Sequence, residues 1–167
     1  MSASLSQDVL LVVYSYHHGN TAKIARAMAE VLGAAVAEPS EVTPDDVQKA
    51  RLIGLGSGIY SATHHESIHR LAAELHPASG RDAFIFSTFG APGIAASPAF
   101  VLNNHSKLRE ILQSKGYRIV GEFGCAGFNT NSFLHWFGGL NKGRPNDDDL
   151  ERAREFARTL KQKLHDG

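Results

Sequence analysis

The chain alternates between two hydrophobic periods. Residues 8–14 (DVLLVVY) are a short apolar run, the pattern of a strand buried on both faces. Residues 20–32 then place Ile24, Met28, Val31 and Leu32 at helical spacing, and Gly33 stands where a helix stops. Residues 34–38 read as a weak second strand. Thr43-Pro44-Asp45-Asp46 starts a short helix, with Thr43 as N-cap and Pro44 at the first helical position. Residues 51–56 read as a third strand, and residues 64–76 carry Ile68, Leu71, Ala72 and Leu75 on one helical face. A fourth strand at 82–87 leads through a Gly- and Pro-rich loop to a helix over about 98–115. That helix turns Val101, Leu108, Ile111 and Leu112 inward and ends at Gly116. A fifth strand at 117–123 follows. The last helix, about 147–164, aligns Leu150, Ala153, Ala157, Leu160 and Leu164, with Asp147, Asp148 and Asp149 at its positive end.

Five strands alternating with five helices predict an α/β fold, with helices on both faces of a parallel sheet and right-handed crossovers. The expected architecture is a single doubly wound domain over residues 1–167, with 1–7 a flexible tail. Its five-stranded parallel sheet takes the order 2-1-3-4-5. Such sheets bind ligands at the carboxyl edge where strand order reverses, here between the first and third strands.

Composition narrows the class. With 167 residues, 43% hydrophobic and 20% charged, the chain resembles an ordinary soluble domain and needs no disulfide staple. No apolar run approaches the ~20 residues of a membrane span. The N-terminal stretch MSASLSQ shows no secretory signal, and Cys125 is the one cysteine, so the expected compartment is the cytoplasm. Lys+Arg and Asp+Glu both number 17, giving a formal net charge of zero, and no basic cluster points to nucleic acid.

The loop after the first strand is Ser15-Tyr16-His17-His18-Gly19-Asn20-Thr21. It feeds a helix start, which offers unpaired N–H groups and a partial positive charge to an anion. The hydroxyls of Ser15 and Thr21, the Asn20 amide and the His17 and His18 imidazoles can all donate, and Gly19 permits a left-handed turn. The loop holds no Lys or Arg, which suits an enclosed phosphomonoester. Neither G-x-x-x-x-G-K-[ST] nor G-x-G-x-x-G is present there, against a nucleoside triphosphatase or a Rossmann dinucleotide site. The plainer alternative is a turn capped by Asn20 or Thr21.

The stretch VVYSYHHGNTAKIARAMAEVL resembles the flavodoxin phosphate loop. GSGIYSATHHES and FSTFGAPG are similar to the two flavodoxin loops that sandwich the isoalloxazine, and the tail GEFGCAGFNT…GGLNKGRPNDDDLERAREFA also fits, so the resemblance covers roughly residues 8–165. It implies FMN as cofactor, with Ser15, His17, His18, Gly19, Asn20 and Thr21 around the phosphate. Ser57, Gly58, Ile59 and Tyr60 would line one side of the ring, and Ser87, Thr88, Phe89 and Gly90 the other, with Cys125 packed nearby. By the same resemblance, the Gly58 carbonyl is the candidate partner of the reduced ring nitrogen. The third-strand loop has no Trp, so the ring faces fall to Tyr60, Phe89 or loop backbone. The resemblance implies electron transfer to a redox partner protein. The alternative is an FMN-dependent oxidoreductase passing hydride from NAD(P)H to a small acceptor such as a quinone. Zero net charge and the aromatic loop at 125–146 lean towards the enzyme; the short chain, with no insertion for a nicotinamide site, leans towards the carrier.

Four other patterns compete. His65-Glu66-Ser67-Ile68-His69 spells H-E-x-x-H, a zinc-protease string, but a third ligand at a familiar spacing is missing. Thr63 and Glu66 also fit a capping box, so no metal is expected. The pairs His17/His18 and His64/His65 fall on one sheet edge, where a metal site is the alternative to the plainer reading as polar residues around an anionic ligand. Cys125 could be a nucleophile, but no helix start follows to favour its thiolate, so a small buried packing residue is expected. Residues 125–146, with Phe128, Phe133, Trp136 and Phe137, form a long aromatic loop suited to a homodimer contact or a cover over the flavin edge, unless they hide a short helix.

Overall fold

The apolar run at Val9–Tyr14 forms strand β1, whose side chains are buried on both faces of the sheet. In the computed structural model, which describes residues 8–16, 19–90, 97–127 and 143–167, the chain continues through α1 (Asn20–Leu32), β2 (Ala35–Ala37), a 3-10 turn (Pro39–Glu41) and α2 (Pro44–Lys49). There follow β3 (Leu52–Tyr60), β4 (Thr63–His64), α3 (Glu66–Glu74), β5 (Asp82–Phe89), α4 (Pro98–Ser114), β6 (Arg118–Ala126) and α5 (Asp147–Asp166). The sheet order is β2-β1-β3-β5-β6, every neighbouring pair parallel. This is the expected doubly wound order, with the short β4 added as an antiparallel flap on β3.

Two cores cover the sheet. Leu11, Val13, Phe84, Phe86 and Phe123 pack against Ile24 and Met28 of α1 and Ala153, Ala157 and Leu160 of α5. Leu10, Val12, Ile53, Leu55 and Ile85 pack against Val47, Ile68, Leu71, Leu108 and Leu112 of α2, α3 and α4. Gly54 and Gly56 of β3 lie in register beside Phe84 and Phe86 of β5. A Cβ at either glycine would fall 2.3 Å from the neighbouring phenyl ring, so the missing side chains are what seat the two rings.

Helix ends follow local chemistry. Gly33 closes α1 in the left-handed conformation, at φ +64°. Thr43 caps α2 with Pro44 following, and Asp46 completes its capping box. One expectation fails: Thr63 and Glu66 do not form a capping box. Thr63 is drawn into β4, and His65 caps α3 by accepting the Ser67 N–H at Nδ1, 3.2 Å away. Strands β3, β5 and β6 also run two to four residues further than hydrophobicity alone predicts, because their ends pair with neighbours through Ser57, Ser87 and Gly124. Among the described residues no helix is long and apolar enough to cross a membrane.

Candidate functional site

The carboxyl ends of β1, β3 and β5 meet at the point where strand order reverses. Three loops converge there, after Tyr14, Ser57 and Thr88.

The first leads into α1. Its N-cap is Gly19, at φ +64°, a residue with no side chain of its own to cap the helix. Asn20 and Thr21, expected as possible caps, instead occupy the buried first turn. No carboxylate lies in that turn to repel an anion, and a Cβ on Gly19 would meet none of the described residues within 4 Å. The Ser15 hydroxyl accepts the Ala22 N–H at 3.2 Å, folding the loop back over the helix start. Thr21 Oγ1 lies 2.8 Å from Thr88 Oγ1, joining the first loop to the third. Gly127, after β6, passes so close to Asn20 that a Cβ would sit 2.6 Å from Nδ2. His17 and His18 lie outside the described residues.

The second loop is a tight hairpin. Ser57, fully buried, accepts the His65 N–H at 2.9 Å and donates to the Gly58 carbonyl at 2.7 Å. Ile59 and Tyr60 pair with His64 and Thr63 across a two-residue turn in which Ser61 and Ala62 both have positive φ, +49° and +62°. The Tyr60 ring leans over Gly58, where a Cβ would come 3.1 Å from its hydroxyl. Burial, followed by the neighbouring Tyr14 and Tyr16, raises the Tyr60 hydroxyl above its ordinary pKa. Tyr14 stacks on His65 with centroids 3.8 Å apart and planes 12° from parallel, and Tyr60 meets His65 edge-on at 6.2 Å. Neither Tyr14 nor His65 stood among the expected cofactor residues. The sequence signal was available for Tyr14, the last residue of the first strand, which pairs with Ser57 at the switch point.

In the third loop Thr88 reaches Thr21, while Phe89 is buried edge-on against Phe100 of α4 at 5.2 Å. Gly90 is half-buried, and residues 91–96 lie outside the described set. Ser87 points to the opposite face from Thr88 and lies 2.7 Å from His105 Nε2. Beneath it, Glu122 accepts two bonds from Arg109 at 3.0 Å, with His105 Nδ1 3.7 Å away. His64 Nε2 donates to the Phe86 carbonyl at 3.1 Å. Burial first, and the adjacent His105 second, lower the His64 pKa to about 3, so it is neutral. Cys125 is 2% exposed, and burial pushes its thiol up to about 12, so it cannot supply a thiolate nucleophile near neutrality.

The H-E-x-x-H string is dispersed by the fold. His65 caps α3, Glu66 is exposed and pairs with Arg70 at 3.2 Å, and His69 lies 3.4 Å from Thr63 Oγ1. Among the described residues no group of three His, Cys, Asp or Glu side chains is placed to hold a metal ion. The aromatic residues Phe128, Phe133, Trp136 and Phe137 of the 125–146 loop, with its expected dimer contact, lie outside the described residues, as does the tail 1–7.

The donor set tests well against FMN. A helix start on a glycine, with no acidic residue in its first turn and flanked by the Ser15 and Thr21 hydroxyls, suits a phosphate, and aromatic rings stand at the neighbouring strand end.

Comparison with known proteins agrees. A family model described as a flavodoxin domain matches residues 11–110. An uncharacterized protein of Methanocaldococcus jannaschii is 42% identical over 151 residues, 90% of this chain and 96% of that protein. A Streptococcus pneumoniae TIGR4 flavodoxin shares the fold with a TM-score of 0.65 at 18% identity, over 93% of this chain and 99% of its own. An NADH:FMN oxidoreductase in its apo form does so with a TM-score of 0.60 at 20% identity, over 92% and 90%. The matched region runs from β1 into α4 and holds all three loops at the switch point; the chain belongs to the flavodoxin family, whose cofactor is FMN.

Proposed function

We propose that this protein binds FMN at the carboxyl edge of β1, β3 and β5 and uses it to pass electrons to a redox partner. The observation that carries this reading is the start of α1 on Gly19, without an acidic residue in its first turn and bordered by Ser15 and by the joined Thr21 and Thr88 hydroxyls. Bound FMN supplies the redox chemistry, accepting single electrons or a hydride. The chain supplies binding and orientation. Ser15, Gly19, Asn20 and Thr21 hold the phosphate, together with His17 and His18 of the same loop. Gly58, Ile59 and Tyr60, with the buried Ser57 behind them, take one side of the ring, and Gly90 with the backbone of Thr88 and Phe89 the other. Ser87 and Cys125, both buried, act as supports beneath it rather than as contacts that react.

FMN at ~100 times its dissociation constant is expected to stabilise the fold by roughly 2.7 kcal/mol. Riboflavin, which leaves the loop's donors without their acceptor, is expected to bind much more weakly. Equal thermal shifts with the two ligands would overturn the phosphate assignment.

A second reading, an FMN-dependent oxidoreductase fed by NAD(P)H, is favoured by the zero formal net charge of the chain. Anaerobic titration separates the two. A carrier reduces in two separate one-electron stages with a chemical reductant and ignores NAD(P)H. An oxidoreductase is bleached rapidly by NAD(P)H alone.

A further inference from the structure

His65 is held more firmly than its half-buried place at the start of α3 requires. Its backbone N–H is bound by the buried Ser57 hydroxyl at 2.9 Å. Its Nδ1 lies 2.8 Å from the Ser67 hydroxyl and accepts the Ser67 N–H at 3.2 Å. Its ring lies flat on Tyr14 at 3.8 Å, with the edge of Tyr60 completing a three-sided aromatic corner. The strained hairpin Ser61-Ala62 holds the last of these rings in place, and strain of this kind persists where surrounding structure imposes it, often at ligand loops. Capping α3 accounts for Nδ1 alone. A short polar residue such as Asn would cap as well without a ring.

The consequence is chemical. With Nδ1 accepting a backbone N–H, the proton of the neutral imidazole sits on Nε2. No described residue takes a hydrogen bond from that Nε2. The ring is therefore a fixed platform carrying one fixed donor, beside the switch point, with its ordering entropy already spent on folding.

We infer that His65 is a ring-binding residue of this site, donating from Nε2 to a carbonyl oxygen or ring nitrogen of the isoalloxazine, with Tyr14 bracing it from behind. The inference rests on the FMN reading above. It adds a donor specific to the ring, independent of the phosphate loop.

Two variants and two ligands test it. His65→Asn keeps an acceptor for the Ser67 N–H but loses the ring and its donor. His65→Phe keeps the stack on Tyr14 but loses the donor. Both variants are expected to bind riboflavin and FMN more weakly by about five-fold, the size of one ordinary hydrogen bond. The ratio of FMN to riboflavin affinity should stay at the wild-type value, because the phosphate contacts are untouched. In parallel, the nitrogen-15 resonance of His65 Nε2 should move when riboflavin is added to the wild-type apoprotein. Wild-type affinity for riboflavin in His65→Phe, or an Nε2 resonance that stays still, would overturn the inference while leaving the phosphate reading intact. Failure of the wild type to distinguish FMN from riboflavin would overturn the phosphate reading and leave His65 to be judged by its own variants.

Discussion

Thr21 and Thr88, sixty-seven residues apart, place their hydroxyl oxygens 2.8 Å from one another in a buried position that ties the first turn of α1 to the end of β5. The bond couples the proposed phosphate loop to the loop proposed to line one side of the ring. Thr88→Val keeps the shape and leaves the Thr21 hydroxyl buried without this partner. The expected cost is about 1–3 kcal/mol of unfolding free energy. The double variant Thr21→Val/Thr88→Val should recover part of that loss, as removal of both partners is milder than removal of one. Urea unfolding of the two single variants and the double variant checks this, and strictly additive losses would show that the bond contributes nothing.

Gly56 exists to seat Phe86. A methyl group there would lie 2.3 Å from the ring, so Gly56→Ala is expected to destabilise by about 1–3 kcal/mol through overpacking. Phe86→Leu in the same chain should restore some of it by vacating the space. A Gly56→Ala variant as stable as wild type would mean that the sheet spreads freely at this row.

The β3–β4 turn uses Ser61 and Ala62 at positive φ, where Asn and Gly are favoured. Ser61→Asn/Ala62→Gly should therefore stabilise the protein by about 1–2 kcal/mol. Flavin affinity should hold, because Tyr60 and Thr63 keep their pairing. Loss of stability in a thermal melt would argue against this turn geometry.

His64 predicts a pH dependence. Its folded pKa is about 3 and its unfolded value about 6.5, so below pH 6.5 the unfolded chain binds a proton that the folded chain refuses. This contribution is fully present above pH 6.5 and is lost as pH falls towards 3. Between pH 6.5 and 5 the unfolding free energy should drop by about 1–2 kcal/mol from this residue. His64→Gln can still donate to the Phe86 carbonyl but cannot charge, so its stability should vary less with pH over that range. Parallel pH profiles for wild type and variant would refute the assignment.

Much of this protein is legible along the chain because its signals are local. The apolar run at Val9–Tyr14, the helical spacing of Ile24 and Met28, and Gly33 after α1 act over a few residues, and the doubly wound order follows once strands and helices alternate. The loop from Ser15 to Thr21 likewise stands out along the chain as a candidate anion site, since such a site at a helix start needs only neighbouring residues. What the tertiary structure decided is how residues far apart in sequence divide their partners. Thr63 could have capped α3 by its spacing from Glu66, but pairing with Tyr60 in β4 claimed it, and His65 became the cap. Ser57 and Ser87 read alike as polar ends of strands. Yet one binds His65 and Gly58 and the other meets His105, because different helices cover them. The stacking of Tyr14 on His65 is of the same kind: two rings fifty-one positions apart meet only because β1 and β3 are adjacent strands, and no local pattern records which strands will lie side by side.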